Sequence, residues 1–550
     1  MRSNSKEFMF GWKAFVRGTQ QRARRRATVA ALTVAATTLA SCTQGLPGAA
    51  IDHFGYAVGS PLLTTNAQTI VGASTNSDLL GGKLFPPVFI TGPNGQMIPN
   101  RDLATAQLLP GAHTQVVYTI NAEAQYSDEK PITCTDFLLA YKAGANPSLF
   151  DSNAPLMTQV EKLDCEPGAK KFTVTFKENM GARWRQLFGP GTVVPAHAVG
   201  HRLGLDEQKL VSLLQANNPA ALMPVATVWN QGFSLKEFDP ELQVSAGPYR
   251  IESVGESGEV QLVRNENFHG DSANLERIMV WPQNADLNAA NETGSLEIAD
   301  LVGVKDVPWV NRDDPRNRFK VEYAAGHMTE LLSLANVGVF ADAESRRAFA
   351  ACINRSDIAA ISSAESGVEV TPVATRLTTA TDPVNTQLKS LIEEKNNTDL
   401  GQAERLRGQT IRIGYTGPDP RKQAMVAAIA SSCAPAGINV VDASSEGASL
   451  GDVGRMEDYP GGQREFAGEL DAFLYAVDPH QGYGHVDGGL DDVEKLRATE
   501  QQLWDESDTV PLAAQPRTIV YDNRIANVVP NTSSSGIGWN MERWVEGKSK

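Results

Sequence analysis

A chain of 550 residues with 41% hydrophobic content and a formal net charge of −15 has the length for two or more packed cores and the composition of a globular protein. Its acidity sets like-charge repulsion against nucleic acid, which is not expected as a partner. The five cysteines include no Cys-x-x-Cys spacing, which leaves zinc-ribbon and thioredoxin chemistry without support.

Residues 1–41 read as an export signal. A basic segment ending in Arg24, Arg25 and Arg26 precedes an uncharged stretch of Ala, Thr, Val and Leu from Ala27 to Ala40. As a helix that stretch is about 21 Å long against a hydrocarbon core of ~30 Å, too short for a permanent span. The run Leu39-Ala40-Ser41-Cys42 resembles the bacterial lipobox. This implies cleavage before Cys42 and acylation of its thiol, which would hold a soluble body at a membrane surface. An ordinary secretory signal followed by an incidental cysteine is the alternative. The arginine run lacks the polar and aromatic neighbours of a twin-arginine signal. Residues 42–60, rich in Gly, Ala and Pro, are assigned to anchor and tether, with His53, Phe54 and Tyr56 docking locally.

Val116 to Ile120 predicts a strand, and Ser127-Asp128-Glu129-Lys130-Pro131 a turn. Thr133 then caps a helix carrying Phe137, Leu138, Ala140 and Tyr141. Strict alternation over residues 171–176 places Phe172, Val174 and Phe176 on one face of a strand. Residues 248–254 and 260–264 flank a Gly-containing turn and read as a hairpin, with a further strand over 275–281. After residue 304 a different lobe begins. Phe349, Ala350, Ile353, Ile358 and Ile361 have helical spacing within 341–361, and 411–415, 421–433 and 438–441 form a β-α-β unit. The apolar strand 471–477 ends at Asp478-Pro479, putting polar side chains at the C-terminal edge of a mixed sheet, where α/β proteins bind ligands. The Gly-rich acidic stretch 482–492 reads as a surface loop, because no Lys-Ser or Lys-Thr pair follows to make a phosphate cradle.

With Cys42 assigned to lipid, Cys134, Cys165, Cys352 and Cys433 remain and allow three pairings. Joining Cys134 to Cys165 and Cys352 to Cys433 keeps each bridge inside one lobe and is favoured over four buried thiols. Asp478 at a strand end suits an ammonium group, a plain Asp-Pro turn being the competing reading. His480 adjoins it, and Tyr475, Tyr483, Trp229 and Trp309 offer apolar contact to variable side chains, against ordinary core packing for each aromatic. His480 and His485, with Asp478 and Asp487 nearby, make a thin metal set, and no metal or cofactor is assigned. Glu465 and Glu469 would share a face only if that stretch were helical. No Gly-x-Ser-x-Gly turn occurs, no catalytic residue is assigned, and no enzyme is expected.

Blocks spread over most of residues 60–545 carry a family resemblance. They are Tyr118-Thr119-Ile120-Asn121 through Asp136-Phe137; Ser245-Ala246-Gly247-Pro248-Tyr249-Arg250 into Phe268-His269-Gly270; Ser345 to Arg355; and Leu470-Asp471 to Asp478-Pro479. In this order they resemble the dipeptide and oligopeptide family of bacterial extracellular solute-binding proteins, family 5, the peptide-binding lipoproteins of ABC importers. The resemblance implies a two-lobed α/β clamp of the periplasmic-binding-protein type, with mixed sheets and a hinge of two crossing segments near 301–308 and 509–516. Lobe I is then 61–304, lobe II 305–510, and 511–550 return to lobe I. It implies capture of short peptides and their delivery to permease subunits driven by cytoplasmic ATPases, from the outer face of the cytoplasmic membrane. A ligand-sensing or scaffolding envelope lipoprotein that binds a non-peptide solute is the alternative. Asp478 is the nearest match to the family's amine-binding aspartate, although Ala476 to His480 lack the usual tryptophan and Leu296 replaces a usual glycine.

Overall fold

The computed structural model describes residues 54–547 apart from Asn217, 459–463 and 484–491. Cys42, His485 and Asp487 lie outside the described residues. A ten-stranded mixed sheet forms the spine. In chain order its strands are β1 (Phe54–Val58), β2 (Tyr249–Val254), β3 (Val260–Arg264), β4 (Arg277–Trp281), β5 (Ile298–Val302), β6 (Phe319–Leu334), β7 (Thr410–Gly414), β8 (Asn439–Asp442), β9 (Ala472–Val477) and β10 (Thr509–Asp522). Across the sheet they run β8-β7-β9-β6-β10-β5-β1-β4-β3-β2.

β1 places residues 54–58, the end of the stretch assigned to the tether, inside the sheet. All of its residues are buried, and it lies parallel to both β4 and β5. A strand covered on both faces carries no alternating pattern, so a short apolar run beside glycines does not announce itself as a strand.

Two large apolar cores lie along this sheet. The first gathers Tyr56, Phe137, Phe172, Trp229, Ile298 and Ile519; the second gathers Leu332, Phe349, Ile413, Phe473, Val510 and Leu512. β10 runs through both regions, giving Ile519 to the first core and Val510 and Leu512 to the second, and it pairs antiparallel with β6 in a register that shifts between Ala325 and Thr329. There β6 passes so close to its partner that a Cβ on Gly326 would stand 2.2 Å from the Gln515 carbonyl oxygen. Residues 301–308, near one of the expected crossings, put Leu301 and Val307 into a smaller cluster with Ala57 and Val520. The two-lobed fold is thus joined along one continuous sheet, with β6 and β10 paired at its middle.

Local chemistry accounts for the flanking elements. A four-stranded antiparallel sheet contains residues 115–120 and 171–176, with Phe172, Val174 and Phe176 all buried and Tyr118 stacked on Phe172 at 4.9 Å. Short helices α1 (Ile70–Thr75) and α2 (Asp78–Leu84) precede α3 (Cys134–Ala145). α3 opens with a capping box, in which Thr133 N–H donates to Asp136 Oδ2 at 2.8 Å. In the second region the stretch with helical spacing is broken into α4 (Ala343–Cys352) and α5 (Arg355–Ser366), because Ile353 is extended and Asn354 caps the second helix. α6 (Pro420–Cys433) connects the parallel strands β7 and β8. Glu465 lies on a strand, Arg464–Ala467, so the shared helical face with Glu469 does not form.

Cys134 is bonded to Cys165 and Cys352 to Cys433, the pairing favoured from the sequence. Among the described residues no helix is long and apolar enough to cross a membrane.

Candidate ligand-binding cleft

The C-terminal end of β9 faces the first region across a cavity of about 110 Å³. Tyr475, Ala476, Val477 and Asp478 line one wall together with Met328 of β6. The opposite wall comes from α1, the α1–α2 turn and residues 153–157 and 186–192. Thr69 caps α1 by accepting from Gly72 N–H, and Asn76 ends it in the left-handed conformation at φ 51°. That abrupt stop turns Asn76 and Asp78 into the cavity.

Two carboxylates, Asp78 and Asp478, therefore face one space from opposite sides, and no basic side chain is among its lining residues. Burial, reinforced by the negative charge of Asp478 and opposed by a hydrogen bond with Ser534, pushes the Asp78 carboxyl up to about 7. The backbone holds Asp478 firmly. Its Oδ1 accepts from His480 N–H at 2.9 Å, while its carbonyl accepts from Gln481 and Gly482 N–H at 3.0 and 2.9 Å. A compact cation placed here would meet two anions and the amide or hydroxyl groups of Gln68, Asn76, Gln186 and Ser534.

The other sequence candidates separate. Tyr475 shares the cavity with Asp478, and burial raises the pKa of its hydroxyl. His480 stands beside Asp478 but not on the cavity surface; desolvation lowers its pKa, as do Arg183 and His327, against the pull of Asp478 and Asp382. Tyr483 lies in the second core with its hydroxyl pushed up to about 12 by burial. Trp229 is fully buried against Phe150 in the first core, at 5.5 Å between ring centroids. Trp309 packs on the cluster of Leu301 and Val307. None of these three lines the cavity.

Sequence reasoning missed Asp78, Arg183 and His327. Asp78 had a faint signal, since Asn76-Ser77-Asp78 is a polar break between two apolar runs. Arg183 and His327 had none, as nothing local shows that a residue near a turn or inside a strand will meet residues 478–480.

The model for bacterial extracellular solute-binding proteins, family 5 Middle, matches residues 100–479. An uncharacterized lipoprotein of Mycobacterium tuberculosis, Rv2585c, is 30% identical over 561 residues, covering 93% of this chain and 95% of its own. Among solved structures, the oligopeptide-binding protein AppA of Bacillus subtilis, in complex with a nonapeptide, superposes with a TM-score of 0.62 at 12% identity, over 90% of this chain and 100% of that one. The periplasmic EDTA-binding protein EppA gives 0.61 at 18% identity, over 94% and 100%.

Proposed function

Because the chain belongs to the bacterial extracellular solute-binding proteins of family 5, we propose that it captures short peptides by their α-ammonium group and hands them to the permease of an ABC importer. It is an extracytoplasmic binding lipoprotein of the importer type and not an enzyme. Cys42 carries the lipid in this reading, and Cys42→Ala releases the protein from the membrane fraction.

One observation carries the peptide assignment: Asp78 and Asp478 converge on a cavity with no basic lining residue. A carboxylate taken out of water needs a compensating cation or several donors, and a peptide amino terminus supplies both the charge and three N–H groups. The apolar remainder, Ala73, Leu156, Leu187 and Val477, tolerates varied side chains. Delivery is supported by the two-lobed fold, since closure over a solute would change the surface that the lobes show to a membrane partner.

The test is mass spectrometry of whatever the native protein retains after gentle extraction. Short peptides with free amino termini are expected. Retention of an anionic or non-peptide solute, in the manner of EppA, would replace the peptide reading while leaving the binding role in place.

A further inference from the structure

Asp478 belongs to a second cluster besides the cavity. His327 of β6, Asp478 and His480 each bring one donor atom within 4.8 Å of the others. Nε2 of His327 and Nδ1 of His480 both stand 3.8 Å from Oδ1 of Asp478, and the two imidazole rings are 5.5 Å apart. These separations are too long for hydrogen bonds. They suit donors arranged around one ion: with metal–ligand bonds of about 2.0–2.2 Å, atoms in a tetrahedral or octahedral shell lie about 3–4 Å from each other.

The surroundings point the same way. The three side chains are 17%, 5% and 18% exposed, and Nε2 of each histidine makes no hydrogen bond among the described residues. Buried polar nitrogens are ordinarily satisfied, so the unpartnered Nε2 of His327, the same atom that faces Asp478, marks a place built for something else, whereas on His480 it is Nδ1 that faces Asp478. The ligand positions are also fixed in advance. His327 N–H donates to the Thr532 carbonyl at 3.3 Å and to its hydroxyl at 3.2 Å, and the bond from His480 N–H to Asp478 sets the spacing within the turn. Among the charged groups acting on this cluster, Asp478 and Asp382 favour a cation and Arg183 opposes it.

We propose that His327, Asp478 and His480 bind a divalent transition-metal cation. Two imidazoles with one carboxylate suit zinc, nickel or cobalt, whereas calcium and magnesium require a shell of oxygens. The remaining coordination positions fall to water or to donor groups of a solute. A dication here neutralises Asp478, so metal and a peptide ammonium compete for the same carboxylate. The proposal rests on the binding-protein reading only for the identity of that competitor.

Tag-free full-length protein, stripped with EDTA and dialysed, is titrated calorimetrically with Zn²⁺, and with Co²⁺ for its visible absorption. One equivalent is expected, with His327→Ala and His480→Gln each weakening affinity at least tenfold and erasing the Co²⁺ band. Metal-free melting curves matching the parent show that both variants fold; should one not, the other decides. Lack of stoichiometric uptake, or uptake that survives both substitutions, overturns the site. Peptide retention is measured separately in EDTA-treated protein, so failure of the metal site and failure of the peptide assignment give different results.

Discussion

Arg183 and Pro479 meet across the cleft: guanidinium Nη1 donates to the proline carbonyl oxygen at 2.8 Å, while Nη2 donates to the Leu377 carbonyl at 3.1 Å. Arg183 adjoins Trp184 of the first core, whereas both acceptors belong to the second region. The contact thus fastens the two halves independently of any solute. Hydrogen bonds from a charged donor are worth about 1.5–3 kcal/mol each, so losing both moves a closed–open equilibrium by roughly a hundred- to ten-thousandfold. Arg183→Ala is expected to raise the radius of gyration of the ligand-free protein in small-angle scattering and to weaken solute affinity by a similar factor. An unchanged scattering curve would reduce Arg183 to a packing residue.

Asp478→Asn, assayed in metal-free buffer, is expected to weaken binding of a free-amine peptide by about 1.5–3 kcal/mol through loss of a charge-assisted bond. The matching N-acetylated peptide should bind poorly to the parent protein and be nearly indifferent to the substitution. Equal affinity of the acetylated and free-amine forms for the parent would take the ammonium role away from Asp478.

Affinity for a cationic solute should depend on pH through Asp78. Its folded-state pKa of about 7 lies above the ordinary 3.8, so below neutrality the carboxyl is protonated and must lose a proton to serve a cation. Calorimetry from pH 5.5 to 8 is expected to show affinity rising by up to about tenfold per pH unit below 7 and levelling above it. Asp78→Asn should flatten that slope. For the ligand-free protein the sign is opposite: the stability this group contributes is fully present below about pH 4 and is lost as pH rises through 7, because the unfolded chain gives up the proton first.

Much of the scaffold was legible because its signals are local. The Thr133 and Asp136 cap, the alternation of Phe172, Val174 and Phe176, and the strand ending at Asp478 each depend on residues within a few positions of one another. The cleft was half legible for the same reason. Asp478 and Tyr475 were visible at a strand end, but their counterpart Asp78 is placed by a helix stop at Asn76 far earlier in the chain. Trp229 shows the converse error: a large aromatic suggests contact with solute, yet the first core accounts for all of its surface.

In the second region, Arg421 and Glu330 form a bidentate pair, Nη1 to Oε2 at 2.7 Å and Nη2 to Oε1 at 2.5 Å, with the side chains 4% and 0% exposed. Removing one partner strands a buried charge. Arg421→Met is expected to cost about 3–5 kcal/mol in denaturant unfolding, and the double substitution with Glu330→Leu to recover part of that loss. If the double variant were no more stable than the single, the pair would not be acting as a unit.

Both disulfides join cysteines that are consecutive in the chain, Cys134 with Cys165 and Cys352 with Cys433. A polypeptide threaded outward amino terminus first can therefore close each ring before the next pair arrives, and an oxidant that joins thiols in order of emergence makes the native pattern without an isomerase. That order holds only if the earliest cysteine is out of play. A free thiol at Cys42 would emerge first, capture Cys134 and shift every later partner by one. If Cys42 carries the lipid, as proposed, acylation would do more than tether: it would remove the thiol whose availability would scramble the rest.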